Sequence, residues 1–272
     1  MTRRDVAAAL AAEGIEEAES EALILLSYFS GFSRARLLSQ PSLSVDSSAL
    51  ADAIRRRTRR EPLQYILGEA PFLNETYAVS RDCLIPRFDT ERLVEAAAER
   101  LPQGAHIADL CTGSGCVAIS LLCRRRDLTA DAYDVSEGAL RIAEGNARRN
   151  GVFDRISFRR VDLLSVNTLP ARYDAILSNP PYIETSVLAT LSPEVQYEPR
   201  LALDGGKDGL IFYRHFARHF RACLTSGGAF LFEIGYDQGN ALRAIAAENG
   251  MTATVEKDYG GCDRVAILKQ RS

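Results

Sequence analysis

The chain has 272 residues, 46% of them hydrophobic and 25% charged, which excludes a disordered, collagenous or disulfide-scaffold protein and leaves material for one large or two ordinary domains. Its 33 basic and 36 acidic residues give a net charge of -3, so broad electrostatic binding to nucleic acid is not expected of its surface. The six cysteines contain no C-x-x-C pair and read as reduced thiols of a cytoplasmic protein; the histidines offer no convincing ligand set, so no metal is expected.

The start, Met1-Thr2-Arg3-Arg4, reaches Asp5 at once and runs into Glu13, Glu16, Glu17, Glu19 and Glu21, unlike a signal peptide. The longest apolar run, from Ala22 towards Phe29, is far short of a membrane span. Residues 1–68 read as a small all-helical domain. Ala7, Leu10 and Ala11 give a first apolar face, and Leu23 to Phe29 give a second, more buried helix. Asp46 or Ser47 can cap a third helix through Leu50 and Ile54, which ends in the run Arg55 to Arg60. That run reads either as a contact for RNA or an acidic partner or, more simply, as a solvated helix end.

After Gly68 the pattern changes. Phe72, Tyr77 and Val79, with Asn74-Glu75 between them, predict a hairpin that forms a linker over 69–88. Asp89 or Thr90 can then cap a helix through Leu93, Val94 and Ala97, opening a third segment, 89–272. From His106 strands alternate with helices. Strands are predicted at 106–110, 130–134, 156–161, 173–178, 228–234, 252–257 and 264–269, with helices at 115–125, 136–149, 208–223 and 237–249. Such alternation implies right-handed crossovers and a parallel α/β sheet covered on both faces. Asp258 to Cys262 is too short for a crossover, so the last strand must be antiparallel. Seven-stranded, Rossmann-like class I methyltransferase sheets end in this way.

Two segments carry chemistry. Asp109-Leu110-Cys111-Thr112-Gly113-Ser114-Gly115 follows a strand and opens a helix, where ligands meet the carboxyl ends of a doubly wound sheet. Gly113 and Gly115 let the backbone turn sharply, and Asp134, 19 positions after Gly115, is placed to receive a ribose diol. Gly113 to Ala118 also matches a dinucleotide fingerprint, so a nicotinamide cofactor stays open at this point. Asp109 leans the other way. A carboxylate is unwelcome beside a pyrophosphate but suits the cationic ammonium and sulfonium of S-adenosylmethionine.

The second segment is Ser178-Asn179-Pro180-Pro181-Tyr182, after the strand at 173–178. A rigid turn is the plain reading of Asn-Pro-Pro. Beside a cofactor cleft, the Asn179 side-chain carbonyl and the Pro180 carbonyl are also two fixed acceptors for the N–H bonds of a planar NH2 group. Pro181 stiffens the turn, and Tyr182 offers an aromatic face. An amide nitrogen is a poor nucleophile, and such acceptors would withdraw positive charge as it attacks and aim it at a methyl group.

Asn-Pro-Pro-Tyr in this place resembles amino-methyltransferases acting on adenine, cytosine or glutamine amides. Arg60 to Gly68, Leu84-Ile85-Pro86-Arg87 with Asp89-Thr90-Glu91, and Tyr197-Glu198-Pro199 resemble, more narrowly, the peptide chain release factor glutamine methyltransferases. So do Leu201-Ala202-Leu203, Gly206 to Leu210, Phe232-Glu233-Ile234-Gly235, and Lys257 to Gly261 with Asp263-Arg264-Val265. The resemblance covers nearly the whole chain. It implies methyl transfer from S-adenosylmethionine to the glutamine amide of the Gly-Gly-Gln motif in release factors, with S-adenosylhomocysteine as product. Asp109, Cys111, Thr112, Gly113, Ser114, Gly115 and Asp134 would hold the cofactor, with Asp162 and Leu163 by its adenine and Asn179 touching it. Asn179, Pro180 and Tyr182 would be catalytic and, with Pro181, would bind the glutamine; the helical domain would grip the release factor. No nucleic acid or membrane partner is implied. Two positions depart: Cys111 is often glycine in the family, and Phe88 replaces a usual proline. Cys at the first position also occurs in the sister family acting on a large-subunit ribosomal protein, which keeps that substrate as an alternative. A nucleic-acid amino-methyltransferase is a more distant one.

Overall fold

Residues 1–271 are described by the computed structural model, and their contacts separate two units, 1–68 with 192–197 and 69–191 with 198 onward. The first unit holds α1 (Arg3–Ala12), α2 (Ala18–Ser30), α3 (Arg34–Ser39), α4 (Ser48–Thr58) and α5 (Leu63–Leu67). A capping box starts α1: the Thr2 hydroxyl accepts the Asp5 amide and the Asp5 carboxylate accepts the Thr2 amide. Ser47, not Asp46, caps α4 by accepting the Leu50 amide at 3.3 Å. Val6, Ala7 and Leu10 pack against Leu25, Leu26, Leu50 and Ile54, whereas Ala11, expected on that face, is exposed.

The arginine run does not behave as a solvated helix end. Arg57 is buried and is held by Glu21 at 2.6 and 3.2 Å and by Glu194 at 3.0 Å. Arg60 donates to both oxygens of Glu194, at 2.6 and 3.0 Å, and Arg56 donates to both oxygens of Glu61. Two carboxylates offset the desolvation of one guanidinium, so most of the run is internal structure.

The second unit opens with an antiparallel hairpin, β1 (Glu69–Phe72) and β2 (Glu75–Ala78), then α6 (Glu91–Arg100). There follow β3 (His106–Leu110), α7 (Cys116–Arg124), β4 (Thr129–Asp134), α8 (Glu137–Arg149), β5 (Ile156–Arg160) and β6 (Tyr173–Ser178). The chain ends with α9 (Ile211–His219), β7 (Leu224–Glu233), α10 (Gly239–Glu248), β8 (Met251–Lys257) and β9 (Asp263–Gln270). The helix expected over 208–223 is shorter, because Gly209 sits at φ 69° and a 3₁₀ turn replaces its end at Arg221–Cys223.

Seven strands form one sheet in the order β5-β4-β3-β6-β7-β9-β8, parallel except for β9. The tight turn after β8 makes β9 antiparallel, and β9 inserts between β7 and β8. Alternate residues serve opposite cores: Ile107, Leu177 and Leu231 face one, Ala108, Ile176 and Phe230 the other. Both faces are therefore covered, and ligands are left the carboxyl edge of the sheet. Among the described residues, no helix is long and apolar enough to cross a membrane.

Candidate active site

The loop between β3 and α7 turns through three left-handed positions, Cys111 at φ 59°, Gly113 at φ 57° and Gly115 at φ 82°. A side chain at Gly115 would meet Ile119 Cδ1 at 2.6 Å and Ala143 Cβ at 3.2 Å, so the glycine lets α7 start against α8. At Gly113 nothing lies within 4 Å of a Cβ position, which leaves that backbone open to a ligand. Cys111 adopts the same left-handed backbone with a side chain, a conformation that glycine takes without strain.

Below this loop lies a cavity of about 450 Å³, a size suited to a nucleoside-containing cofactor. Asp109, Cys111, Thr112, Gly113, Ser114, Asp134, Asp162, Leu163, Asn179 and Pro181 all line it. Gly115, Pro180 and Tyr182 do not. Gly115 lies behind the loop at the start of α7, and Tyr182 packs against the core with its hydroxyl on Glu233. The cavity is mostly apolar, and four aspartates, Asp82, Asp109, Asp134 and Asp162, are among its lining residues. Asp134 accepts the Gly113 and Ser136 amides at 2.9 Å each, which sets both oxygens while leaving each a further lone pair. Burial raises its pKa against the pull of those amides.

Asp109 is fully buried. Desolvation pushes its pKa up to about 7, although the Thr112 hydroxyl and the Ala118 amide favour its charged form. Both donors address Oδ2, at 2.7 and 3.3 Å. Its negative charge is therefore conditional near neutrality, and a cationic ligand nearby would draw it out. Cys111 lines the cavity, and burial of its thiol pushes its pKa well above the usual range.

At the end of β6, Ser178 donates to the Leu110 carbonyl at 2.6 Å and ties the Asn-Pro-Pro-Tyr turn to β3. Asn179 Nδ2 donates to the Thr90 hydroxyl at 3.1 Å, which turns Oδ1 away from Thr90. Among the described residues, neither Asn179 Oδ1 nor the Pro180 carbonyl accepts a hydrogen bond. Two acceptors on consecutive residues are thus without a protein partner in a rigid turn. Behind the turn, a Cβ at Gly205 would meet the Pro181 carbonyl at 2.8 Å, and one at Gly209 would meet the Tyr182 carbonyl at 2.3 Å. The Gly205 to Gly209 loop is thus built of glycine where it supports the turn from behind.

Several supporting residues were not read from the sequence as parts of the site. Thr90 stands at the N-terminus of α6 but makes no cap; its buried hydroxyl faces Asn179 instead. Buried Glu198 accepts the Ile85 amide at 3.0 Å and pairs with Arg87, so it holds the strap Leu84-Ile85-Pro86-Arg87 along the cavity. Asn146 on α8 joins β2 to the glycine loop. An Asn among buried helix positions was the available signal for Asn146; Thr90 and Glu198 carried none beyond their motifs.

A family model described as the PrmC N-terminal domain matches residues 2–68, and one described as the methyltransferase small domain matches residues 88–193. The release factor glutamine methyltransferase of Moorella thermoacetica is 39% identical, over 96% of this chain and 95% of its own. That of Cereibacter sphaeroides is 40% identical over 96% and 94%. Among solved structures, a release factor-specific protein-(glutamine-N5) methyltransferase from Alicyclobacillus acidocaldarius aligns at 29% identity with a TM-score of 0.42, over 72% of this chain and 100% of that one.

Proposed function

Since the chain belongs to the release factor glutamine methyltransferase family, we propose that it transfers a methyl group from S-adenosylmethionine to the glutamine amide nitrogen of the Gly-Gly-Gln motif in release factors. The observation that carries this is the pair of acceptors without a protein partner, Asn179 Oδ1 and the Pro180 carbonyl, in a turn whose Asn179 and Pro181 line a cavity that Asp109 and Asp134 also line. The cavity fits the donor, whose sulfonium supplies an electrophilic methyl group when bound. Asp134 receives the ribose hydroxyls, and Asp162 and Leu163 lie by the adenine. Asp109, in the wall, favours the cationic end of the donor, whereas a dinucleotide would bring its anionic pyrophosphate to this loop. The loop from Cys111 to Gly115 supplies close backbone.

Asn179 and Pro180 take the two N–H bonds of the glutamine amide, with Pro181 stiffening the turn and Tyr182 closing its side. Both acceptors gain strength as positive charge develops on the nitrogen, so their contribution is larger in the transition state than in the bound substrate. No base is needed before attack; the proton leaves afterwards. In this reading residues 1–68 recognise the protein substrate, 69–88 form the hairpin linker and 89–272 carry the chemistry, in the cytoplasm. The test is incubation with labelled S-adenosylmethionine and two competing substrates, a release factor and a large-subunit ribosomal protein. Mass spectrometry is expected to find one added methylene on the release factor glutamine. Label on the ribosomal protein alone would overturn the choice of substrate, and no label on either would overturn the reaction.

A further inference from the structure

Gln238 stands at the N-cap position of α10, after the exposed pair Tyr236-Asp237, and its side chain makes no cap. Caps favour Ser, Thr, Asp or Asn, so helix formation gives no reason for a glutamine here. The side chain is half-buried and makes three other hydrogen bonds. Its Oε1 accepts the Gly235 amide at 2.9 Å, while Nε2 donates to the Tyr182 carbonyl at 3.1 Å and the Gly209 carbonyl at 3.4 Å. One partner can only donate and two can only accept, so the amide has a single orientation. Two glycines make room for it. A Cβ at Gly209 would meet Nε2 at 2.8 Å, and one at Gly235 would meet Cδ at 3.2 Å. One side chain thus joins the last residue of the Asn-Pro-Pro-Tyr turn to the Gly205 to Gly209 loop and to the turn after β7.

We propose that Gln238 is a positioning residue for methyl transfer, which holds the Tyr182 end of the turn so that Asn179 and the Pro180 carbonyl keep their aim. The inference rests on the role given to those two acceptors above. Pro180 and Pro181 have no N–H, so neither can tie the turn to its surroundings through a backbone amide. Ser178 secures one end on the Leu110 carbonyl, and Ile183, beyond the other end, pairs with Leu203 and Gly205. Gln238 supplies the bond on the last carbonyl of the turn itself. Both proline rings lock φ, so a shift of the Tyr182 peptide is passed back to the Pro180 carbonyl rather than absorbed. A misplacement of about 1 Å in a positioning group costs on the order of 10²-fold in rate.

The test compares Gln238→Glu and Gln238→Met with the wild-type protein. Gln238→Glu keeps the shape and the acceptor for Gly235 but sets an oxygen against two carbonyl oxygens. Gln238→Met keeps the length and makes none of the three bonds. The measurements are kcat and KM for a release factor, S-adenosylmethionine affinity by calorimetry, and melting temperature. Both variants are expected to lower kcat by about tenfold or more, with KM and cofactor affinity held within about twofold. Gln238→Glu is expected to be at least as slow as Gln238→Met, although it keeps the Gly235 bond. A role confined to the turn after β7 requires the reverse order. Wild-type turnover in Gln238→Glu, beside an active wild type, therefore overturns this proposal and leaves the functional reading standing. So do losses confined to KM, or rate losses that track cofactor affinity and melting temperature. A wild-type protein that transfers no methyl group overturns both.

Discussion

The side-chain amide of Asn146 donates to the Ser114 carbonyl at 2.9 Å while it pairs both backbone groups of Ala78, at 2.7 and 3.0 Å. One buried side chain on α8 thus completes the edge of β2 and fixes a carbonyl of the glycine loop. Asn146→Leu removes the partners of three backbone groups at once. A loss of about 2–4 kcal/mol is expected, with weaker cofactor binding, because the loop is freed together with the hairpin. Denaturant melts and calorimetry check this. Unchanged affinity would mean that Ser114 needs no such support.

Cys111 offers a test of the left-handed loop before α7. Its φ of 59° is a left-handed backbone, which costs a residue with a Cβ roughly 1–2 kcal/mol, partly repaid by the lower unfolded entropy of a non-glycine chain. Cys111→Gly is therefore expected to leave stability unchanged or raise it by up to about 1 kcal/mol. Cys111→Val, β-branched in the same conformation, is expected to lower it by about 1–2 kcal/mol. Thermal denaturation of the two variants decides, and equal melting temperatures would contradict the left-handed assignment.

On the proposed function, Asp109 is expected to make cofactor binding depend on pH. Its folded pKa is raised to about 7 by burial, above its unfolded value, so the folded chain binds more protons between those two values. Its contribution to stability is therefore present below the unfolded pKa and is lost as pH rises through about 7. Glu233, also raised to about 7 by burial, adds a term of the same sign. Binding a cation beside Asp109 runs the other way, since it favours the carboxylate. S-adenosylmethionine affinity is expected to rise with pH across neutrality, and Asp109→Asn to flatten that rise while keeping both hydrogen bonds on its oxygen. Calorimetry over a pH series is the measurement; a flat wild-type profile would remove Asp109 from the electrostatics of binding.

The sheet was legible in the sequence because its signals are local. Alternating apolar runs mark β3 to β7, glycines mark the turn before α7, and the five residues after β8 are too few for a crossover. The lining residues from Asp109 to Ser114, with Asp134 and Asn179, were legible too, since each ends or follows a strand. What was not legible is which motif touches which. Glu198 is 113 positions from Ile85, and Thr90 is 89 from Asn179. Nothing in either stretch alone states that the hydroxyl of a helix-start threonine will abandon its cap to hold an amide. Local propensity favoured the cap, and the tertiary partner won.

The arginine run shows the same limit in the helical unit, and it yields the firmest stability expectation. Arg57 is buried between Glu21 and Glu194. Arg57→Ala would leave the two carboxylates with less compensation than their burial requires, and Arg60 can answer only for Glu194. Breaking such a pair by removing one partner costs about 3–5 kcal/mol, far more than the pair itself contributes. Arg57→Lys is expected to recover little, since an ammonium does not reproduce two parallel bonds to Glu21 together with one to Glu194. Arg55→Ala, at an exposed pair with Asp52, is expected to cost less than about 1 kcal/mol. Chemical denaturation of the three variants at low and high salt separates the cases, because screening weakens the exposed pair and barely reaches the buried one. If Arg57→Ala and Arg55→Ala were equally mild, Arg57 would be a surface charge after all.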